Sequence, residues 1–223
     1  MSGRVGSITT DIIADGLVFN MDAVNRASYP KTGTTWFDTI GNNNGTLTNG
    51  PTFSSDDGGY LAFDGDDDYI NLNSTITNNI YTLDFWYKMA GNDGTYGYFA
   101  SSGVNGLAIS EGGTIFGLSY GQFYYYNGSA NLLSNIPSTT NWNHICVIIN
   151  TISNNLKLYG NSIELTDTTV TSMSTSITDI GRYVASFHNL LYGNLASYRI
   201  YNRALSANEV LHNYNALKGR FGL

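Results

Sequence analysis

The chain is poor in the residues that most often announce an activity. Its 223 residues include one cysteine, three prolines and only 12% charged side chains, against about 25% in an average globular protein. The lone Cys146 excludes an internal disulfide framework and paired-cysteine zinc sites. It lies in the apolar run Ile145-Cys-Val-Ile-Ile149, where it is expected to be a buried thiol acting as a small hydrophobe. Ten Lys and Arg against 17 Asp and Glu give a net charge of −7 and a pI near 4.6. Phosphate recognition needs clustered cations, so neither nucleic acid nor an anionic membrane is an expected partner. No apolar stretch approaches the ~20 residues of a membrane span, so no membrane insertion is expected. The opening Met1-Ser-Gly-Arg-Val-Gly-Ser lacks the apolar core of a signal peptide.

What is present points to strands. Polarity comes from Asn, Thr, Ser and Gly, and 17 Tyr with 10 Phe and 3 Trp favour pleated sheet over helix. Tyr81 to Met89 alternates cleanly, with Tyr81, Leu83, Phe85, Tyr87 and Met89 on one face and Thr82, Asp84, Trp86 and Lys88 on the other. That period of two predicts a half-buried antiparallel strand. Further strands are expected at Gly16–Met21, Tyr60–Phe63, Tyr69–Leu72, Gly97–Ser101, Leu107–Ser110, Ile115–Tyr120, Phe123–Tyr126, Trp142–Asn150, Leu156–Tyr159, Ser162–Leu165, Ile177–Ile180 and Leu195–Tyr201. Asn127-Gly128 and Gly160-Asn161 have the chemistry of tight hairpin turns. Residues 23 to about 52 read as a long loop anchored by Tyr29 and Trp36.

One helix closes the chain. Ser206-Ala-Asn-Glu209 fits a capping box, Val210, Leu211, Tyr214 and Leu217 follow at helical spacing, and Gly219 is the expected left-handed stop. The whole reads as an all-β, two-sheet antiparallel sandwich with one short C-terminal helix. Residues 1–14 form an arm or first strand, and 15–223 a single domain.

Six segments carry a resemblance. Phe63-Asp-Gly-Asp-Asp-Asp-Tyr-Ile-Asn-Leu72, Tyr81-Thr-Leu-Asp-Phe-Trp86, Trp142-Asn-His-Ile-Cys-Val-Ile148, Leu156-Lys-Leu-Tyr-Gly-Asn161, Ile180-Gly-Arg182 and Tyr198-Arg-Ile-Tyr-Asn-Arg-Ala-Leu-Ser206 occur in this order. Together they resemble the concanavalin A-like, laminin G-like jelly roll of lectins and glucanases over roughly residues 15 to 217. Gly16–Ala23, Ser28–Pro30, Thr34–Asp38 and Gly45–Phe53 are similar to the version found in tailed-phage and marine-virus structural proteins. The resemblance implies a virion location, as a capsid decoration or fibre component. It also implies other virion proteins as partners, a multimeric state in the particle, and host-surface glycans as ligands.

The candidate sites follow from that reading. Glucanases of this type carry acidic residues at alternating strand positions, because glycoside hydrolysis needs two carboxylates a defined distance apart. This chain has three glutamates: Glu111 in a Glu-Gly-Gly turn, Glu164 after a hairpin and Glu209 in the cap. No catalytic residue is therefore expected. Asp64, Asp66, Asp67 and Asp68 crowd four like charges, and Ca²⁺ takes six to eight oxygen ligands. Asp66 and Asp67 are the expected ligands, with Asp38 as a contributor. Tyr120, Tyr124, Tyr126 and Asn127, in the richest aromatic run, are the expected carbohydrate or protein contacts. His144 is expected to be structural, and His188 and His212 have no second ligand at zinc spacing.

Overall fold

A computed structural model describes residues 12–92, 94–103, 105–111, 120–174, 176–184 and 190–223. Most of the expected arm, most of the Ile115–Tyr120 strand and His188 lie outside the described residues.

The expected two-sheet sandwich is observed. The first sheet runs β14 (Ile163–Thr169), β13 (Asn155–Gly160), β12 (Asn143–Asn150), β7 (Ile80–Met89), β16 (Tyr192–Tyr201), β5 (Tyr60–Asp64), β4 (Thr52–Ser54), with β1 (Leu17–Asp22) also on β16. The second runs β11 (Ala130–Asn135), β10 (Gln122–Tyr126), β9 (Asn105–Glu111), β8 (Thr95–Ser102), β15 (Ser176–Ile180), β6 (Tyr69–Thr77), β3 (Gly45–Thr48), β2 (Thr35–Trp36). Neighbouring strands are antiparallel throughout. β16 serves two partners on one side because it is long: its first half pairs with β5 and its second with β1, on either side of a bulge at Ala196.

The core fills the space between the sheets. Phe85 of the first sheet stacks on Phe99 of the second at 4.6 Å and on Tyr198 at 5.6 Å. The Tyr198 hydroxyl then donates across the sandwich to the Phe99 carbonyl at 2.9 Å. A bulge at Phe99 makes this possible, turning that ring inward while Tyr96 and Tyr98 stay on the outer face. Tyr29 and Trp36 anchor the 23–52 segment in the same core, as expected. That segment also contains β2 and β3, whose Thr- and Gly-rich sequences gave no strand signal.

Helix α1 (Ala207–Leu217) carries the full capping box. Ser206 Oγ accepts from Glu209 N, and Glu209 Oε2 accepts from Ser206 N at 2.8 Å. Arg203 adds a bidentate pair to Glu209, at 2.7 and 3.1 Å. The helix does not end at Gly219. A 3-10 turn continues over Lys218–Phe221, and Gly222 (φ 73°) is the left-handed residue. The extra turn lets Phe221 stack on Trp86 at 4.3 Å, beside Tyr214 at 5.9 Å. That cover overturns the half-buried reading of β7. Thr82, Asp84 and Trp86 are as buried as the core face, because residues 203–205 cover Thr82 and the closing helix and turn lie over Asp84 and Trp86.

Two further details differ from expectation. The β13–β14 turn is Asn161-Ser162, both with positive φ (50° and 69°), one residue beyond Gly160-Asn161. Gly160 stays in the strand, paired with Ile145 and Ile163, and a Cβ there would lie 2.5 Å from Pro137. Glu111 ends β9 rather than sitting in a turn. Alternation with Leu107 and Ile109 turns it inward, where it accepts from the Tyr87 hydroxyl and from Tyr192 N at 3.0 Å.

Candidate functional site

Two of the expected contact residues, Tyr124 and Tyr126, lie on the outer face of the second sheet, but not both in the expected role. In β10, Phe123 and Tyr125 enter the core, so Tyr124 and Tyr126 face outward. Tyr124 is nonetheless fully buried. Tyr96 and Tyr98 of β8 meet it edge-on at 5.7 and 6.2 Å. Burial, with Tyr98 and Tyr96 alongside, pushes its hydroxyl far above the ordinary tyrosine range. Tyr124 is therefore the hub of a tyrosine cluster, not a surface contact. Asn127 is also committed: its Nδ2 donates to Thr171 O at 2.6 Å and its Oδ1 accepts from Asn131 and Ser129, closing the β10–β11 hairpin. Tyr120 is exposed and Tyr126 partly so.

Sequence reasoning missed the other half of this face. Tyr183 stacks on Tyr98 at 4.9 Å and meets Tyr126 edge-on at 5.7 Å. Beside it, the Arg182 guanidinium lies 3.8 Å over the Tyr69 ring. Asp179 Oδ1 fixes that guanidinium by accepting from Nε at 3.1 Å and lying 3.0 Å from Nη2, and it also accepts from Asn71 Nδ2 at 3.0 Å. Tyr69 and Asn71 alternate with the buried Ile70 and Leu72, which places them outward. The result is a row of half-buried rings (Tyr126, Tyr183, Tyr69) interrupted by a planar cation and an amide. Rings of this kind offer flat apolar faces with polar tips. The available signal was Tyr69 and Ile180-Gly-Arg182, which read as fold signature only. Gly106 belongs to the same design, since a Cβ there would lie 2.6 Å from the Tyr98 ring.

The acidic turn is organised differently from expectation. Asp64, Asp67 and Asp68 bring carboxylate oxygens within 4.8 Å of one another, whereas Asp66 is outside that group. Asp38 is buried and spent on its own loop, accepting from Asn20 N at 3.0 Å, Ile40 N at 3.1 Å and Asn43 N at 3.4 Å. Asp64 Oδ1 accepts from Asp66 N and Asp67 N, and Asp68 Oδ2 from Asp64 N. Burial, together with the Asp64 and Asp67 charges, pushes the Asp68 carboxyl up to about 6, against the pull of the Asp64 N–H. An all-oxygen set of this kind suits a hard cation such as Ca²⁺; the residues that would hold it are Asp64, Asp67 and Asp68.

His144 is structural in the sense expected. Its Nε2 lies 2.9 Å from Asp84 Oδ2 beneath α1, fully buried. Cys146 is a buried free thiol, pushed well up by burial. No helix among the described residues is long and apolar enough to cross a membrane.

The fold is a two-sheet lectin-like sandwich. The model of the concanavalin A-like lectin/glucanases superfamily matches residues 64–211, more than half of the chain, and the chain belongs to this family. No curated protein matches the sequence. Among solved structures, it is similar to domain 4 of AbnA, a GH43 extracellular arabinanase from Geobacillus stearothermophilus, in complex with arabinotriose. The TM-score is 0.65 at 18% identity, covering 89% of this chain and 98% of that one. It is also similar to part of Trypanosoma rangeli sialidase in complex with sialic acid (TM-score 0.64, 13% identity), covering 92% of this chain and 33% of the sialidase. This chain therefore spans about a third of that enzyme. At these identities the likeness shows the fold alone.

Proposed function

We propose that this protein is a non-enzymatic glycan-binding sandwich that serves as a virion structural component, displayed as a capsid decoration or fibre part. The observation that carries the glycan reading is the outer face of the second sheet. There the part-exposed rings of Tyr126 and Tyr183 lie beside Arg182, itself stacked over Tyr69, and Asn71, the pairing of stacking surface and hydroxyl partners that a sugar chain requires. A domain of the same fold in complex with arabinotriose supports it. Among the described residues, the placing of two carboxylates supports the non-enzymatic reading. Asp179 is tied to Arg182 and Asn71, and Glu111 points into the core. The virion setting rests on the resemblance of residues 16–53, and display in many copies would let avidity compensate for weak single sites. Ca²⁺ at Asp64, Asp67 and Asp68 is part of the same reading.

Two experiments test the two halves. A glycan array should show binding that Y183A and Y126A lose; an array blank for the intact protein sinks the glycan half. Protein composition of purified particles should show this chain at fixed stoichiometry, and its absence sinks the virion half. The second reading, a glycan-binding module carried by another protein, is favoured by the arabinanase likeness and would survive that second failure.

A further inference from the structure

A second pocket lies on the opposite sheet from the tyrosine face. It has a volume of about 260 Å³ and is lined by Asp57, Lys88, Asn141, Trp142 and Phe221, with Gly222 and Leu223 at its side. Its volume is just below the roughly 300–1,000 Å³ of drug-sized sites, which suits one small ring rather than a chain.

The floor is aromatic and fixed. Trp142 packs between Phe221 at 4.8 Å and Tyr60 at 5.6 Å. Arg220 clamps the closing turn against the 56–59 turn, donating to Gly58 O at 3.0 Å, Gly59 O at 2.6 Å and both oxygens of Asp22 at 2.9 Å. The wall is polar and unusually placed. Asp57 has a left-handed backbone (φ 46°, ψ 33°), uncommon outside glycine and of the kind that gathers at ligand sites. Its Oδ2 accepts from Lys88 Nζ at 2.9 Å and Trp142 Nε1 at 3.0 Å, and these partners hold the carboxyl below its usual range.

Much hydrogen-bonding capacity remains unspent. Among the described residues, Asp57 Oδ1 accepts no hydrogen bond, and Lys88 Nζ uses one of its three N–H groups. Among the described residues, Asn141 bonds only through its backbone, from N to Ser138 Oγ and at O from Asn143, which leaves its exposed side-chain amide available. The pocket thus offers a carboxylate acceptor, an ammonium donor and an amide that does both, above an apolar floor. Asp57 and Lys88 balance in charge, so a charged ligand would meet one opposing wall. A neutral ring with adjacent hydroxyls meets none: it donates to Asp57 Oδ1, accepts from Lys88 and Asn141, and rests its C–H groups on the part-exposed Phe221, which Trp142 holds from behind. We infer that this pocket binds a single neutral sugar residue, the end or branch of a glycan, independently of the tyrosine face. Two sites on opposite sheets would let one chain bridge two glycans.

The test follows the Trp142 indole Nε1–H resonance in ¹⁵N–¹H spectra while the intact protein is titrated with the methyl glycosides of arabinose, galactose and glucose. The expected result is a saturable shift of that resonance with at least one of them. N141A, whose side chain bonds nothing in the fold, should weaken binding roughly threefold to tenfold without disturbing the rest of the spectrum. Y126A and Y183A should leave the shift unchanged. Absence of a saturable shift with all three glycosides up to tens of millimolar overturns the proposal, as does equal binding by N141A. Loss of the shift in Y183A overturns its independence from the tyrosine face.

Discussion

Asn213, on the closing helix, donates its Nδ2 to the Asp84 carboxylate in the middle of the first sheet at 3.0 Å, and both residues are fully buried. The same amide nitrogen lies 3.0 Å from the Tyr201 hydroxyl, and Asn213 Oδ1 accepts from Ile13 N at 2.9 Å. Arg199 Nη1 completes the set at 3.2 Å from Asp84. Helix, N-terminal segment and sheet are therefore joined through one side chain. Replacing it leaves a buried charge with one partner fewer and a part-buried N–H, that of Ile13, unpaired. N213A should lower unfolding free energy by about 2–3 kcal/mol in urea melts, while N208A on the exposed side of the helix should change it by less than about 0.5 kcal/mol.

Asp84 also sets an acid limit. Burial pushes its carboxyl up, but His144, Arg199 and Asn213 outweigh burial and hold it at about 2. A carboxyl held below its unfolded value of ~3.9 contributes stability that is complete above that value and lost as pH falls toward 2. A shift of this size corresponds to about 3 kcal/mol. Denaturation measured from pH 5 to pH 2 should show this loss in the wild-type protein, and D84N should flatten that part of the profile. An unchanged slope in D84N would remove Asp84 as its source.

Much of the architecture was legible because local chemistry and tertiary packing agree. Alternation in Tyr81–Met89, the Ser206–Glu209 box and the order of the signature segments each specify one local outcome. The half-buried reading of β7 failed because a strand's periodicity shows which residues share a face, not what covers that face. Trp86 needed Phe221, 135 positions away in the chain. The site was less legible for the same reason. Tyr124 and Tyr126 have the same parity in the strand, yet Tyr96 and Tyr98 bury one and leave the other partly open. Arg182, Tyr69 and Asn71 meet only through the pairing of β15 with β6.

On the proposed glycan reading, the tyrosine face separates binding from stability. Tyr183 and Tyr126 are partly exposed, whereas Tyr124 is the buried hub. Y183A should reduce oligosaccharide affinity about tenfold, in the range of a stacking contact with its polar partner, with a small change in melting temperature. Y124A should instead cost about 3–5 kcal/mol of stability, as large aromatic truncations in packed sites do. Paired calorimetric titration with arabinotriose and thermal melting of both variants distinguishes the roles. A Y183A protein that binds as tightly as wild type would remove the stacking role of this ring.

Crowded acidic groups in the β5–β6 turn give a metal prediction. Asp64, Asp67 and Asp68 oppose one another within 4.8 Å, so a bound Ca²⁺ would relieve repulsion in the folded state only. Millimolar Ca²⁺ should raise the melting temperature by RT ln(1 + [L]/Kd) expressed at the transition, and excess chelator should reverse it. D67N should lose the response. D66N should keep it, because that carboxylate lies outside the cluster. A melting temperature indifferent to Ca²⁺ and chelator would remove the ion from this turn.

Gly58 tests how the closing turn is held. Its φ of +79° is costly for any other residue, and a Cβ would lie 2.4 Å from Arg220 Cγ. Arg220 cannot retreat without giving up its hydrogen bonds to Gly58 O and Gly59 O and those from Nη1 to both Asp22 carboxylate oxygens. G58A should therefore displace the guanidinium and loosen residues 218–223, for a loss of about 1–3 kcal/mol. The Phe221 ring would lose its fixed place over Trp86 and Trp142. Backbone amides of that last turn should exchange faster in G58A, while those of central strands β7 and β12 change only by the global loss of stability. Equal exchange across the molecule would mean that the turn and the sheet unfold as one unit, and that Arg220 is not what holds the turn down.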